Sequence, residues 1–137
     1  MIREVLIPKL KARFADRGFQ ERSENNAIGY FPAAHYQVGD LAIFDDGDEA
    51  TIYIGQITHL HIDSEESEGH RAEEEIANEV ISFLEELFAD KLMIWKSKTT
   101  GADGVFPLAN VAAFSGVDSS DSTFFWSGPV RKPKLAG

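Results

Sequence analysis

The segment that decides the fold, residues 70–90, reads HRAEEEIANEVISFLEELFAD. Its apolar residues recur at spacings of three and four, which is the period of an α-helix with one buried face. Glutamates fill the opposite face, and the acids of the first turn suit the positive end of the helix dipole. The segment therefore predicts an amphipathic helix that packs on another layer through a stripe of Ile76, Val80, Phe83, Leu84, Leu87 and Phe88.

The chain before this helix alternates between apolar and polar residues, which is the period of a β-strand. Strands are predicted at about residues 26–32, 36–45 and 49–62, and Asp46 and Gly47 supply a tight hairpin turn between the last two. One face of the long strand carries Ile52, Ile54, Leu60 and Ile62. The other face carries Thr51, Tyr53, Ile57, His59 and His61. We expect the helix stripe to dock on this sheet.

A short amphipathic helix is predicted at the start of the chain, where one stripe contains Ile2, Val5, Leu6, Leu10 and Phe14. Pro8 leaves two alternatives open: a kink inside the helix, or a helix that begins at Pro8 because its fixed φ suits a first turn. Gly18, followed by Phe19, predicts a left-handed residue at the end of this helix. Gly55 predicts a bulge or a close backbone approach within the long strand.

The order of elements predicts the fold class. Further strands are expected at residues 92–97 and 123–126, while residues 105–114 fit either a strand or a helical turn. The order α-β-β-β-α-β-β predicts an α+β two-layer sandwich, in which an antiparallel sheet of about five strands carries two helices on one face. Residues 1–128 are expected to form one domain, and residues 129–137 a disordered basic tail.

The charge of the chain is concentrated in its middle. Residues 40–90 contain sixteen acidic residues and one base, Arg71, a net charge of −15, whereas the rest of the chain carries +5. Such a segment suits solubility, and it also predicts an acidic surface that attracts a cationic protein partner. We expect a non-enzymatic binding protein of chaperone, inhibitor or immunity type without a cofactor. The predicted partner-binding residues are Glu65, Glu66, Glu68, Glu73, Glu74, Glu75 and Glu79.

Several classes of site are excluded by the sequence. Cysteine is absent, which excludes disulfides, thiolate metal sites and a cysteine nucleophile. The chain has no glycine-rich phosphate loop, dinucleotide fingerprint, nucleophile elbow or zinc-protease helix motif. The basic clusters are small and the acidic centre repels phosphate, so nucleic-acid binding is not expected. Charges interrupt the N-terminus, and no apolar run is long enough for a membrane span, so a cytoplasmic protein is expected.

A metal-dependent enzyme is the alternative function. His59, His61 and Asp63 fall on one face of the predicted long strand, because side chains alternate along a strand. Imidazoles spaced by one residue, together with a carboxylate, can bind zinc or another divalent metal. His70 lies across the acidic loop and is the candidate for a further ligand. The other interpretation is a pair of surface histidines on a solvated face.

Four acids surround the predicted hairpin turn: Asp45, Asp46, Asp48 and Glu49. A calcium-binding loop of the EF-hand type spans twelve residues and has glycine at its sixth position, which this segment does not match. The acids therefore indicate a polar hairpin rather than a calcium site.

An aromatic run near the end of the chain consists of Phe124, Phe125 and Trp126, and Trp95, Tyr30 and Phe31 are candidates to join it. Neighbouring side chains on a strand point to opposite faces, so a strand that is covered on one face leaves an aromatic ring exposed on the other. The run therefore fits either the core or an oligomer contact, and a homodimer is a possible assembly.

The element order, the chain length and the acidity together resemble those of the small dimeric chaperones of type III secretion. The resemblance covers most of the chain. It implies a chaperone-like binding function, and because it rests on element order, size and charge it transfers no individual site residue.

Overall fold

The computed structural model describes residues 1–64, 68–108 and 122–130, and these residues form an α+β fold, as predicted. The helices are α1 (Ile2–Arg13) and α2 (Gly69–Phe88), and a short 3₁₀ turn (Ala15–Arg17) follows α1. The strands are β1 (Gln20–Glu21), β2 (Ala27–Phe31), β3 (Leu41–Asp45), β4 (Glu49–Ile54), β5 (Thr58–Asp63), β6 (Leu92–Lys96), β7 (Asp103–Pro107), β8 (Ser122–Phe125) and β9 (Gly128–Pro129).

The strands form two antiparallel sheets. Strands β1 to β5 make a five-stranded sheet in chain order, as expected of an antiparallel meander. The strands after α2 do not join it; they form a second sheet with the order β7-β6-β8-β9. The two sheets meet at the edge strand β5, where the Thr58 hydroxyl donates to the Asp103 carboxylate of β7 at 2.6 Å.

The long strand predicted at residues 49–62 is instead a hairpin, with a turn at Gly55. Gly55 has φ +52°, and its N–H donates to the Asp40 carbonyl at 2.8 Å. A Cβ atom at this position would lie 2.0 Å from the Val38 carbonyl oxygen, so a larger residue cannot fit without moving the backbone. The predicted close approach at Gly55 is confirmed, and the prediction of one continuous strand is wrong.

The predicted faces of this segment are retained despite the turn. Ile52 lies opposite Leu60, and Tyr53 lies opposite His59. Antiparallel partners point to the same side of a sheet. The side of Ile52 is therefore the inner face of the five-stranded sheet, and the side of Tyr53 is its outer face. Ile57 differs from the prediction because it belongs to the turn.

The core lies between the inner face and the two helices. Ile52 of the sheet is fully buried, and the predicted docking of α2 is confirmed because its stripe joins the same core. Phe83 packs on this core but is only partly buried, contrary to its predicted place in the stripe. Helix α1 runs through Pro8, so the alternative start at Pro8 is wrong. The fully buried helix residues are Ile2, Leu6, Leu10, Ala77, Val80, Leu84 and Leu87.

The described structure extends to residue 130. Trp126 is 2% exposed, and its ring centroid lies 5.3 Å from that of Phe88 in α2. Beyond it, Pro129 belongs to β9, and the Val130 N–H donates to the Thr123 carbonyl at 3.0 Å. Residues 131–137 of the predicted tail lie outside the described part, so the predicted domain boundary stays a prediction.

Asp45 connects β3 to the start of α1. The first N–H groups of a helix have no partner within the helix, and Met1, which precedes α1, provides no side-chain cap. Asp45 Oδ2 accepts from the Arg3 N–H at 3.2 Å, and Oδ1 accepts from the Gly47 N–H at 2.9 Å. The Asp45 carboxylate is 7% exposed and thus caps the helix from a neighbouring strand.

We expect Asp45→Ala to lower the free energy of unfolding by about 1–3 kcal/mol, because two backbone donors lose a charged acceptor. Urea denaturation followed by circular dichroism measures this change. Asp48→Ala is the matched control, since Asp48 is exposed in the same hairpin, and its effect should stay within about 0.5 kcal/mol. Equal effects of the two substitutions would contradict the capping role.

Candidate functional site

Three glutamates of α2 are paired with basic groups of α1 or of Met1, which precedes it. The two helices pack side by side, and Lys9 and Arg13 of α1 face glutamates of α2. Such exposed ion pairs contribute little stability, but they cancel charge locally. The hydrogen bond to Glu73 also raises the pKa of the Met1 amino group above its ordinary value. The pairs are Met1 amino group to Glu73 at 2.9 Å, Lys9 to Glu74 at 3.6 Å, and Arg13 to Glu85 at 2.5 Å.

The other described members of the predicted partner-binding set lie in different surroundings. Glu75 accepts a hydrogen bond from the Ser64 hydroxyl at 2.6 Å and lies 3.8 Å from Arg71. Glu68 and Glu79 are exposed. Two of the seven lie outside the described residues: Glu65 and Glu66. Of the five described members of the predicted set, three have a basic group within 4 Å and two are exposed: Glu73, Glu74 and Glu75, and Glu68 and Glu79.

Uncompensated negative charge is found instead at one end of the β3–β4–β5 meander. Asp46, Asp48, Glu49 and Asp63 lie there, and we call them the acidic corner. Glu49 and Asp63 stand directly opposite each other on β4 and β5, an arrangement of like charges that is destabilising. In the described ranges, none of the four forms an ion pair with lysine or arginine. The acidic corner is therefore a favourable surface for a cation.

His61 lies within the acidic corner. Its Nδ1 atom is 3.2 Å from Glu49 Oε1 and 3.0 Å from the Thr51 hydroxyl oxygen. The Thr51 hydroxyl in turn donates to Asp46 Oδ2. Asp46, Glu49 and His61 each offer one atom that could bind a metal ion, and these three atoms lie within 4.8 Å of one another.

The predicted metal set of His59, His61, Asp63 and His70 is not assembled. His59 and His61 share the outer face, with ring centroids 5.3 Å apart, as their spacing predicted. His70 lies in the first turn of α2, where its Nε2 is 3.7 Å from Glu74. Where side chains are described, His59, Asp63 and His70 belong to no cluster of three converging donors. The β3–β4 turn instead brings Asp46 and Glu49 to His61. Metal binding by the predicted set stays a prediction.

An open row of rings crosses the outer face beside the acidic corner. The Phe44 and Tyr53 centroids are 5.5 Å apart at 86°, and those of Tyr53 and His59 are 5.2 Å apart and stacked. Tyr53 is 42% exposed. A shallow hollow of about 440 Å³ lies over Phe44 and Tyr53, and Asp46 forms part of its wall. Aromatic and acidic groups therefore line one continuous surface.

The predicted aromatic run contributes mainly to the interior. Phe31 and Trp126 are buried in the core, and Phe124 packs against it. Strand β8, which carries the run, is flanked by β6 and β9. Trp95 and Tyr30 are half-buried. The homodimer stays a prediction.

Comparisons with models of known protein families, with curated proteins and with solved structures find no significant match for this chain. They lend no support to the resemblance to secretion chaperones. Neither α1 nor α2 has the length and apolar character needed to cross a membrane. The function must therefore be argued from the acidic corner and the adjoining row of rings.

Proposed function

We propose that this chain is a non-enzymatic binding protein whose outer sheet face receives a cationic segment of a partner protein. The observation that carries the proposal is that the ring row of Phe44, Tyr53 and His59 adjoins an acidic corner that forms no ion pair with lysine or arginine in the described residues. A guanidinium or ammonium group is attracted to an aromatic face. The same group forms strong charge-assisted hydrogen bonds with carboxylates. One basic side chain would satisfy both surfaces at once.

The proposed binding surface stays within the acidic segment of residues 40–90 but lies at the acidic corner rather than on α2. Three acids of α2 are poor candidates because the Met1 amino group pairs with Glu73, and bases of α1 pair with Glu74 and Glu85. The acidic corner keeps its charge and would steer a cationic partner toward the sheet. The proposal keeps the cytoplasmic location expected from the sequence.

The outer face also suggests a direction for the bound segment. Lys96 and Asp103 line a second hollow, of about 330 Å³, together with Tyr53 and His59. This end of the surface carries one basic and one acidic side chain, whereas the acidic corner carries several acids and the imidazole of His61. The basic side chains of the segment would therefore lie toward the acidic corner, and its less charged residues toward Lys96.

We expect a short peptide with arginine at alternate positions to shift the backbone amide NMR signals of β3, β4 and β5. The reason is that Asp46, Tyr53 and His59 would contact the guanidinium groups. A peptide with glutamine in place of every arginine is the matched control, and it should leave these signals unchanged. Shifts centred on α2, or no shifts with the arginine peptide, would contradict the proposed surface.

A further inference from the structure

We infer that Asp46, Glu49 and His61 bind a divalent transition-metal ion. Their donor atoms all lie within 4.8 Å of one another, with His61 Nδ1 3.2 Å from Glu49 Oε1. An imidazole nitrogen beside two carboxylates is a mixed donor set of the kind that protein metal sites use. This inference goes beyond the proposed function and does not depend on it, and a bound ion would compete with a basic side chain of the partner for Asp46.

The backbone holds the three donors in register. The Asp46 N–H donates to the Glu49 carbonyl at 2.9 Å, which closes the turn between β3 and β4. On the neighbouring strand, His61 stands directly opposite Thr51, two residues beyond Glu49. The donors thus come from a closed turn and two paired strands. Such a site needs little rearrangement when an ion binds.

Neighbouring polar groups orient the ligands. The Asn26 side-chain amide donates to Asp46 Oδ1 at 2.6 Å. Thr51 is 2% exposed, and its hydroxyl contacts both Asp46 and His61. The Asn26 amide is in a position that commonly fixes the direction of a metal ligand and raises metal affinity. The Thr51 hydroxyl contacts His61 at Nδ1 itself, so an ion bound to that nitrogen would replace this contact. Because Thr51 is buried beneath the cluster, the carboxylates and the imidazole are presented on the solvent side.

The donor set selects the class of ion. Magnesium and calcium prefer sites made wholly of oxygen atoms, so the imidazole of His61 disfavours them. Zinc, cobalt and similar divalent ions accept imidazole together with carboxylate. Three protein ligands leave further coordination positions for water.

Calorimetric titration of chelator-treated protein with Zn²⁺ tests the site, and Co²⁺ absorption spectra report the ligands independently of any activity. We expect saturable binding of one ion per chain. His61→Gln should weaken it more than about tenfold, because a ligand is lost. His59→Gln is the matched control, since His59 is an exposed imidazole of the same strand and face, and it should bind as the wild type does.

The carboxylates offer a second matched pair. Asp46→Asn should weaken Zn²⁺ binding, whereas Asp48→Asn should not, although both substitutions remove one charge from the same hairpin. Lack of saturable binding up to about 1 mM Zn²⁺ would overturn the inference, as would an equal loss in His59→Gln or Asp48→Asn. These titrations contain no peptide, so failure of the metal site and failure of the partner surface are separate results.

Discussion

Replacing Leu84 by alanine is expected to lower the free energy of unfolding by about 2–5 kcal/mol. Leu84 has no solvent exposure, and it packs in the core that joins α2 to the inner face of the five-stranded sheet. Truncation removes apolar contacts and leaves a cavity that the surrounding helices and strands can only partly fill. Urea denaturation followed by circular dichroism gives the change. A loss of this size is a large part of the stability of a small domain.

Two controls make the Leu84 result specific. Phe83→Ala removes a larger side chain from the neighbouring position, yet it should cost less than Leu84→Ala because Phe83 is only partly buried. Glu86→Ala changes an exposed residue of α2 and should stay within about 0.5 kcal/mol. A loss below about 1 kcal/mol for Leu84→Ala would show that α2 does not pack on the sheet as described.

The elements that could be predicted are those in which apolar residues recur at a regular spacing. The spacing of Ile76, Val80 and Leu84 predicts both the helix and its buried face, and all three are buried. The turn at Gly55 could not be read from alternation. Ile54 and Thr58 pair across it and are four residues apart, so the alternation continues in phase as though the strand were unbroken.

The second sheet shows another limit of the sequence pattern. Alternation predicts that residues 92–97 and 123–126 form strands, but it carries no information about which strands pair. In the structure β6 lies between β7 and β8, so these strands complete their own sheet. Pairing between distant segments depends on the packing of the whole chain.

Reversing the charge of the acidic corner should have the largest effect on partner binding. We expect Asp46→Lys combined with Asp48→Lys to weaken binding of the arginine-rich peptide more than about tenfold, which corresponds to about 1.4 kcal/mol. The substitutions replace attraction by repulsion beside the ring row. Fluorescence anisotropy with a labelled peptide at low salt measures the affinity, and circular dichroism confirms that the variant is folded.

The wild-type affinity should also fall as salt is added. Exposed charges are screened beyond a distance of about 8 Å at physiological ionic strength. The double variant should show a weaker dependence on salt, because the attraction that salt screens has been removed. A wild-type affinity that does not change with salt would contradict an electrostatic contribution.

The candidate site was only partly predictable, because the sequence does not show which acidic side chains lie next to basic ones in the fold. Composition locates the acidic segment at residues 40–90, but it does not show which acids are neutralised in the fold. The sequence of α1 does indicate a basic helix face that could neutralise acids, because Lys9 and Arg13 stand four residues apart and therefore share a face. That basic face meets Glu74 and Glu85 of α2. In the described residues, acids without a lysine or arginine partner include Asp46 and Asp48 of the hairpin as well as Glu79 and Glu86 of α2.

His61 illustrates the same limit for the metal site. The alternation of side chains along a strand predicts His61 as a metal ligand together with His59 and Asp63 of the same strand. Asp46 and Glu49 reach His61 only because β4 folds back on β3 and pairs with β5. The spacing of the histidines does not reveal how these three strands pair, so it cannot show that Asp46 and Glu49 lie beside His61.

The central claim is that the acidic corner, rather than α2, binds the cationic partner. It is tested most directly by comparing Asp46→Lys/Asp48→Lys with Glu79→Lys/Glu86→Lys, which change the net charge equally at exposed positions of the hairpin and of α2. The measurement is the ratio of their Kd values for the arginine-rich peptide in one low-salt buffer. We expect the hairpin variant to bind more than about tenfold more weakly than the helix variant. A ratio near one, or weaker binding by the helix variant, would contradict the account.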